Sequence, residues 1–333
     1  GSDIFIARLK PDGSLLINST YIGGSNLDGL NTNSLNYNYG DQFRGEISLD
    51  AFGNVYVSST TYSSNFPTNN AFQSNLNGLQ DAVLIKMPPS LNSLLWCTYF
   101  GGQGQETGNS VAISDMESVY IAGGTNSNTL PMNSGFDLSF NGGIADGYVA
   151  KFNQLSGALE AGTFMGLSEY DQTYFVQLDI NNEVYVYGQT ESAWSISPGC
   201  YGTPNSGQFI RKYDMDLSSI HWTTMIGAGS GHVEVSPTAF LVSDCFDIYI
   251  AGWGGNLNSS LSQATWSSTN GFTPSTSPAG YQMQTNGSNF YVAVLDQDAT
   301  NLKYATFMGG LTSSSNHVDG GTSRFDKSGR IYH

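Results

Sequence analysis

Asn54-Val-Tyr-Val57, Ser118-Val-Tyr-Ile121, Glu183-Val-Tyr-Val186, Asp247-Ile-Tyr-Ile250 and Arg330-Ile-Tyr-His333 are one phrase written five times. Tyr56, Tyr120, Tyr185, Tyr249 and Tyr332 fall in register at spacings of 64, 65, 64 and 83. Self-similarity at a fixed period sets the architecture into which every local segment must fit. A second marker agrees: Asp50, Asp115, Asp179, Asp244 and Asp326 each close an apolar alternation shortly before the phrase, at spacings of 65, 64, 65 and 82. The other half of the unit also repeats, as Asp3-Ile-Phe-Ile-Ala-Arg-Leu9, Asp81-Ala-Val-Leu-Ile-Lys-Met87, Asp146-Gly-Tyr-Val-Ala-Lys-Phe152, Gln208-Phe-Ile-Arg-Lys-Tyr213 and Asn289-Phe-Tyr-Val-Ala-Val-Leu295. Each copy leads to a Thr-x-x-Gly segment, at Thr20 to Gly23, Thr98 to Gly101, Thr163 to Gly166, Thr224 to Gly227 and Thr306 to Gly309.

The unit therefore carries four short strands, and Pro11-Asp12-Gly13, Asp50-Ala-Phe-Gly53 and Asp326-Lys-Ser-Gly329 supply the residues that tight hairpins need. No window holds a sustained helical apolar face. Four-stranded antiparallel units repeated around an axis predict an all-β chain, a β-propeller whose sheets bury their faces against neighbouring sheets. The repeat units run over about 3–80, 81–145, 146–206, 207–288 and 289–333 of a single domain or segment. Whole blades are expected at 44–102, 109–166, 173–227 and 235–310, with the Asp-closed strand innermost. Residues 3–24 would form the outer half of a blade and 319–333 the inner half. Either these join to close a ring of five or the chain is an arc of a longer protein; the second is favoured, because His333 falls inside a strand.

These residues resemble the bacterial seven-bladed β-propeller repeat family, with its Asp-apolar-Phe-Val-Ala-Lys-Leu, Ser-Thr-Tyr-apolar-Gly-Gly and Gly-Asn-Val-Tyr-Val segments. Asp81 to Gly102 and Gly53 to Val57 fit closely. The likeness spans all five units, although Gly166-Leu167 and Gly227-Ala228 lack the second Gly, and Gln208 and Asn289 replace the leading Asp. The resemblance implies a large secreted or cell-surface protein of the Bacteroidota. Type IX secretion, adhesive modules and a C-terminal sorting domain of gliding-associated type go with such repeats.

Composition narrows the partners. The 333 residues carry 27 acidic and 11 basic side chains, a net charge of −16 that repels a phosphate backbone, so nucleic acid is not an expected partner. No run approaches the roughly 18 apolar residues of a membrane helix. Cys97, Cys200 and Cys245 lack metal-site spacing and are read as buried thiols in preference to a disulfide. No cofactor is expected; calcium is compatible with the abundant hard oxygen donors, but no Asp-x-Asp-x-Asp-Gly loop is present.

Chemistry is sparse. Gly101 to Gly108 is read as a turn, because no helix follows it to complete a phosphate cradle. Ser230 lacks a nucleophile-elbow frame. His232-Val-Glu234 places an imidazole and a carboxylate on one face of an extended segment, but only three other histidines exist to complete a site. The recurring aspartates are read as turn acceptors, since catalysis singles out residues whereas these repeat. The same reading covers Asp3, Asp81 and Asp146. The carboxylates outside the repeat, Glu46, Glu106, Glu169, Glu191 and Glu234, and also Asp171, would matter if two lined one pocket. No catalytic or metal residue is assigned.

Binding is expected on rim loops, through the unrepeated aromatics Tyr37, Tyr39, Trp194, Trp253 and Trp266. Two long intervals carry most of them: 254–288, expected to be a rim insertion dispensable for folding, and 25–43, with Asn31, Asn33 and Asn36. The function expected is a noncatalytic extracellular scaffold that binds a protein or glycan, as part of a longer multidomain chain or assembly. The alternative is a glycosidase-type propeller with axial carboxylates.

Overall fold

The computed structural model describes residues 1–312, 316–318 and 323–332. Four four-stranded antiparallel sheets follow one another along the chain. The first contains β3 (Glu46–Leu49), β4 (Val55–Thr61), β5 (Asp81–Met87) and β6 (Trp96–Phe100), and the second β7 (Ser110–Ile113), β8 (Ser118–Thr125), β9 (Asp146–Asn153) and β10 (Leu159–Met165). The third contains β11 (Asp171–Leu178), β12 (Val184–Thr190), β13 (Gln208–Tyr213) and β14 (Ile220–Ile226), and the fourth β15 (Ser236–Val242), β16 (Ile248–Trp253), β17 (Phe290–Leu295) and β18 (Leu302–Met308). Two hairpins flank them, β1 (Ile4–Leu9) with β2 (Leu16–Ile22) and β19 (Arg324–Phe325) with β20 (Ile331–Tyr332).

Spatial order equals chain order within every sheet. The first strands stand side by side, β3 by β7, β7 by β11, β11 by β15 and β15 by β19. Arg324 of β19 reaches Glu46 of β3 at 3.5 Å. The inner strands thus turn around an axis, which is the β-propeller architecture. The strand order within the blades agrees with that read from the repeat, though β11 starts at Asp171, ahead of the expected 173.

Stacked blades explain why β4, β5, β8 and β12 are buried along their whole length. One core layer joins Tyr56 and Leu84 of the first blade to Val111 and Val119 of the second, and the next joins Tyr120 to Val176 and Val184 of the third. A polar clamp repeats beside each layer. Lys86 lies 5.1 Å from the Tyr56 ring centre and donates to the Gln154 carbonyl of the next blade at 2.9 Å. Lys151 sits over Tyr120 and pairs with Asp216, and Lys212 sits over Tyr185 and pairs with Asp298. Arg8 fills the same role for β1, donating to the Pro89 carbonyl of the first blade at 3.2 Å.

The hairpins between first and second strands show a one-residue correction to the aspartate register. Asp50 accepts from the Phe52 and Asn54 amides, Asp179 from Asn181 and Glu183, and Asp326 from Ser328 and Arg330. In the second and fourth blades the acceptors are Ser114 and Ser243, not Asp115 and Asp244. A hydroxyl oxygen satisfies the same two amides, so either side chain serves. The corrected series has spacings of 64, 65, 64 and 83, identical to the tyrosines. The fourth turn residue always takes positive φ: Gly53, Glu117, Asn182, Phe246 and Gly329.

The leading aspartates do different work. Asp81 accepts from the Asn77 amide and the Gln73 side chain, and Asp146 from the Asn141 amide, so they anchor the loop before the strand. A Cβ on Gly101 or Gly166 would collide with these carboxylates, which explains the glycine closing the Thr-x-x-Gly segment. Cys97 is buried, but Cys200 is half-buried and Cys245 exposed, which corrects the reading of all three as buried; all are free thiols.

Candidate functional site

The two long intervals do not hang from the rim as free loops. Residues 25–43 cross the end of the ring where inner strands begin. Asn38 is buried and bonds Asp41, Tyr174, Gln189 and Ser236, thereby touching the third and fourth blades. Asn33 bonds Gln80 of the first. Asp41 is the hub: it accepts from Arg44 at 2.8 Å, the Tyr174 hydroxyl at 2.8 Å and the Asn38 amide at 2.7 Å, and Arg44 also donates to the Pro237 carbonyl. This segment plugs the end of the propeller. The insertion 254–288 contributes a short helix, α1 (Asn256–Ser260), whose buried Asn258 accepts from the Tyr39 amide and donates to Ser236. Phe272 and Ala264 of the same insertion lie in core clusters. The expectation that it is dispensable is therefore corrected.

Five aromatics proposed for the rim separate into three environments. Trp194 is buried, stacked on Phe209 at 4.2 Å with the Arg211 guanidinium 4.0 Å from its ring centre. Trp253 is buried too, at the end of β16, with Tyr39 and His317 edge-on to it. Both indoles are nearly covered, as side chains packed beneath loops are, although Trp194 and Arg211 also border a cavity of about 290 Å³. Tyr39 is half-buried in that cluster.

Tyr37 and Trp266 belong to a different group, built where four loops meet. Trp266 is 62% exposed and lies flat on His232, with ring centres 4.5 Å apart and planes within 5°. His232 Nδ1 stands 3.7 Å from Glu191 Oε1. Tyr37 stacks on buried Tyr170 at 3.8 Å, and its hydroxyl lies within the field of the Glu191 carboxylate. Burial, followed by the Glu191 charge, holds the Tyr37 hydroxyl well above its ordinary pKa, so it stays protonated beside that carboxylate. Tyr170 in turn joins the Tyr174–Asp41 network. An unbroken chain of contacts thus runs from the buried plug to an exposed indole. His232 and Glu191 gave no repeat signal, and their meeting depends on loops distant in sequence.

Most of the remaining carboxylates are spent on structure. Glu106 accepts from Thr125 and the Gly102 amide; burial pushes it up to about 8. Glu234 is buried and accepts from the amides of Gly207, Ala228 and Ser230, so it does not share a face with His232 as the sequence suggested. Asp171 binds the Leu167 amide and Ser192. Glu46 faces Ser110 and Arg324 near the axis, and Glu169 is exposed. Among the described residues no three His, Cys, Asp or Glu side chains converge, and no helix is long and apolar enough to cross a membrane.

No protein-family model matches the chain, and no curated protein is similar to it in sequence. Among solved structures it is similar to the Dos1 propeller, with 12% identity and a TM-score of 0.40 over 98% of this chain and 68% of that one. It is also similar to quinohemoprotein alcohol dehydrogenase from Comamonas testosteroni, with 12% identity and a TM-score of 0.36 over 86% of this chain and 43% of the dehydrogenase.

Proposed function

We propose that the protein is a noncatalytic β-propeller module of the cell exterior, and that it binds a glycan or protein ligand at the Trp266 platform. The observation that carries this reading is the exposed indole held flat on His232, itself braced through Glu191 and Tyr37 against the buried plug. A rigid, half-wet aromatic face offers stacking area at little entropic cost, and the adjacent carboxylate and imidazole offer directional hydrogen bonds. Sugar rings present an apolar face edged by hydroxyls, which suits that arrangement. The repeat chemistry supports a scaffold role, because the recurring carboxylates close turns and anchor loops. The Bacteroidota-type repeat resemblance supports a surface location and a place in a larger adhesive or gliding-associated chain.

The test is a glycan and surface-protein binding screen with wild type and Trp266→Ala. Loss of binding in the variant at an unchanged melting temperature is expected. Turnover of a polysaccharide that disappears in Glu191→Gln would overturn the noncatalytic reading.

A further inference from the structure

One core position of the repeat is broken in a single blade. Ile85 pairs with Val57 and Cys97, Ala150 with Ile121 and Gly162, and Ala293 with Ile250 and Ala305, and all three are buried in the third strand of their blades. The third blade places Arg211 there, between Val186 and Thr223. A cation thus stands where the sister blades need only an aliphatic side chain.

Its neighbours orient the guanidinium but leave most of it unpaired. It lies over the Trp194 ring, 4.0 Å from the ring centre, while Nε donates to Thr223 Oγ1 at 2.9 Å and Nη1 to the Tyr213 hydroxyl at 3.2 Å. An arginine carries five N–H donors, and only two are used here. Among the described residues no carboxylate comes within ion-pair distance of it, although Asp171 is near enough to feel its charge. The Nε1–H of Trp194 is buried and has no acceptor among the described residues, where such groups ordinarily find one.

Arg211 borders the cavity of about 290 Å³ between the second and third blades. Much of the wall is apolar, with Phe136 54% exposed, Leu167 45% exposed and Ile220 half-buried, and it includes one acid, Asp137. The Asp137 carboxylate accepts from the Ser139 amide and the Asn141 side chain and is not paired with Arg211. An apolar wall with a few polar groups is the usual form of a small-molecule site, and this volume suits a small ligand.

We infer that this cavity binds a free α-amino acid with an apolar side chain. The ligand carboxylate meets the unused N–H groups of Arg211, its ammonium meets Asp137, and its side chain lies among Phe136, Leu167 and Ile220. Charge favours this ligand over a simple anion. Arg211 and Asp137 cancel each other in the wall, and a chain of net charge −16 repels an anion but not a zwitterion. Trp194 is a positioning residue, because its ring fixes the plane of the guanidinium.

The test is calorimetric titration of the full chain with L-leucine, L-methionine and L-phenylalanine, with melting temperature as a second readout. At least one should bind one-to-one with a Kd of about 1 mM or tighter and raise the melting temperature. Its N-acetyl and its amide derivative should each bind about tenfold more weakly or worse, since each lacks one of the two charges. Arg211→Ile installs the residue of the first blade, so it should keep a cooperative melt and lose binding. Asp137→Asn and the exposed substitution Phe136→Ser should weaken binding by about tenfold at an unchanged unliganded melting temperature. Trp266→Ala should bind the amino acid as the wild type does, which separates this site from the platform. Absence of binding by all three amino acids, or binding unchanged in Arg211→Ile or in Asp137→Asn, would overturn the inference. Glucuronate bound as tightly as the amino acid would overturn it too, by showing a general carboxylate site.

Discussion

Tyr120 and Tyr332 occupy one sequence position and two environments. Tyr56, Tyr120 and Tyr185 are buried between blades, Tyr249 is half-buried beside Phe325, and Tyr332 is mostly exposed. Position in the strand fixes which face a side chain occupies, but burial requires a following blade to cover that face. Tyr120→Ala should cost about 3 to 5 kcal/mol in urea unfolding, by the scale of large-to-small core changes, whereas Tyr332→Ala should change stability by less than about 0.5 kcal/mol. Equal effects at both sites would disprove the covering argument. Glu117 offers a test of the turn register. It holds φ 63° where two sister turns use Gly, and its side chain is exposed. Glu117→Gly should therefore relieve left-handed strain and stabilise the protein by about 1 kcal/mol, measured by the same unfolding curves.

At the level of elements, the repeat made strands, blade order and hairpins readable, because apolar alternation and turn residues act locally. The slip from Asp115 to Ser114 and from Asp244 to Ser243 arose because Asp and Ser are interchangeable acceptors, so chemical identity misled where geometry did not. The long loops were harder to read for the opposite reason. Asn31, Asn38 and Asn258 look like solvent-facing polar residues, and only distant partners such as Gln189 and Ser236 show that they are interior. Trp253 and Trp194 were unrepeated and therefore looked functional, yet irregular segments also need large side chains to fill space beneath them. Of the candidate site, Tyr37 and Trp266 were visible in sequence, whereas their link through Glu191 and His232 was not. Asp41→Asn is the test of the plug. It leaves Arg44 as a buried cation whose partner has lost its charge, and truncating one side of such a pair typically costs about 3 to 5 kcal/mol. A thermal melt should show that loss, with the far-UV spectrum at low temperature unchanged. Deletion of 254–288 should be more damaging still, because Asn258 and Phe272 leave with it.

Across the molecule, four carboxylates, Asp81, Asp146, Asp171 and Glu106, are buried away from water. Burial pushes Asp81 and Asp171 up to about 6, Asp146 up to about 7 and Glu106 up to about 8, against hydrogen-bond donors and, at Asp171, the Arg211 charge, which pull the other way. Asp81 and Asp146 each begin the third strand of a blade, whereas Glu106 and Asp171 lie where one blade hands the chain to the next. An acid whose folded pKa exceeds its unfolded value binds its proton more tightly in the native state. Its stabilising contribution is complete below the unfolded pKa near 4 and is lost as pH rises through the folded pKa. These four groups therefore weaken the fold progressively from about pH 4 to about pH 8. A second set acts in the opposite sense: the Ser14 side chain and amide lower Asp12, and the Arg330 and Ser328 amides help to lower Asp326, so protonating these at strongly acid pH removes turn support. The net charge of −16 adds self-repulsion at higher pH in the same direction as the first set. Melting temperature should consequently peak between about pH 4 and 6 and fall toward pH 8, and Glu106→Gln should flatten the alkaline limb by removing the group that titrates last. A melting temperature that rises from pH 5 to pH 8 would show that these carboxylates are instead stabilised as anions.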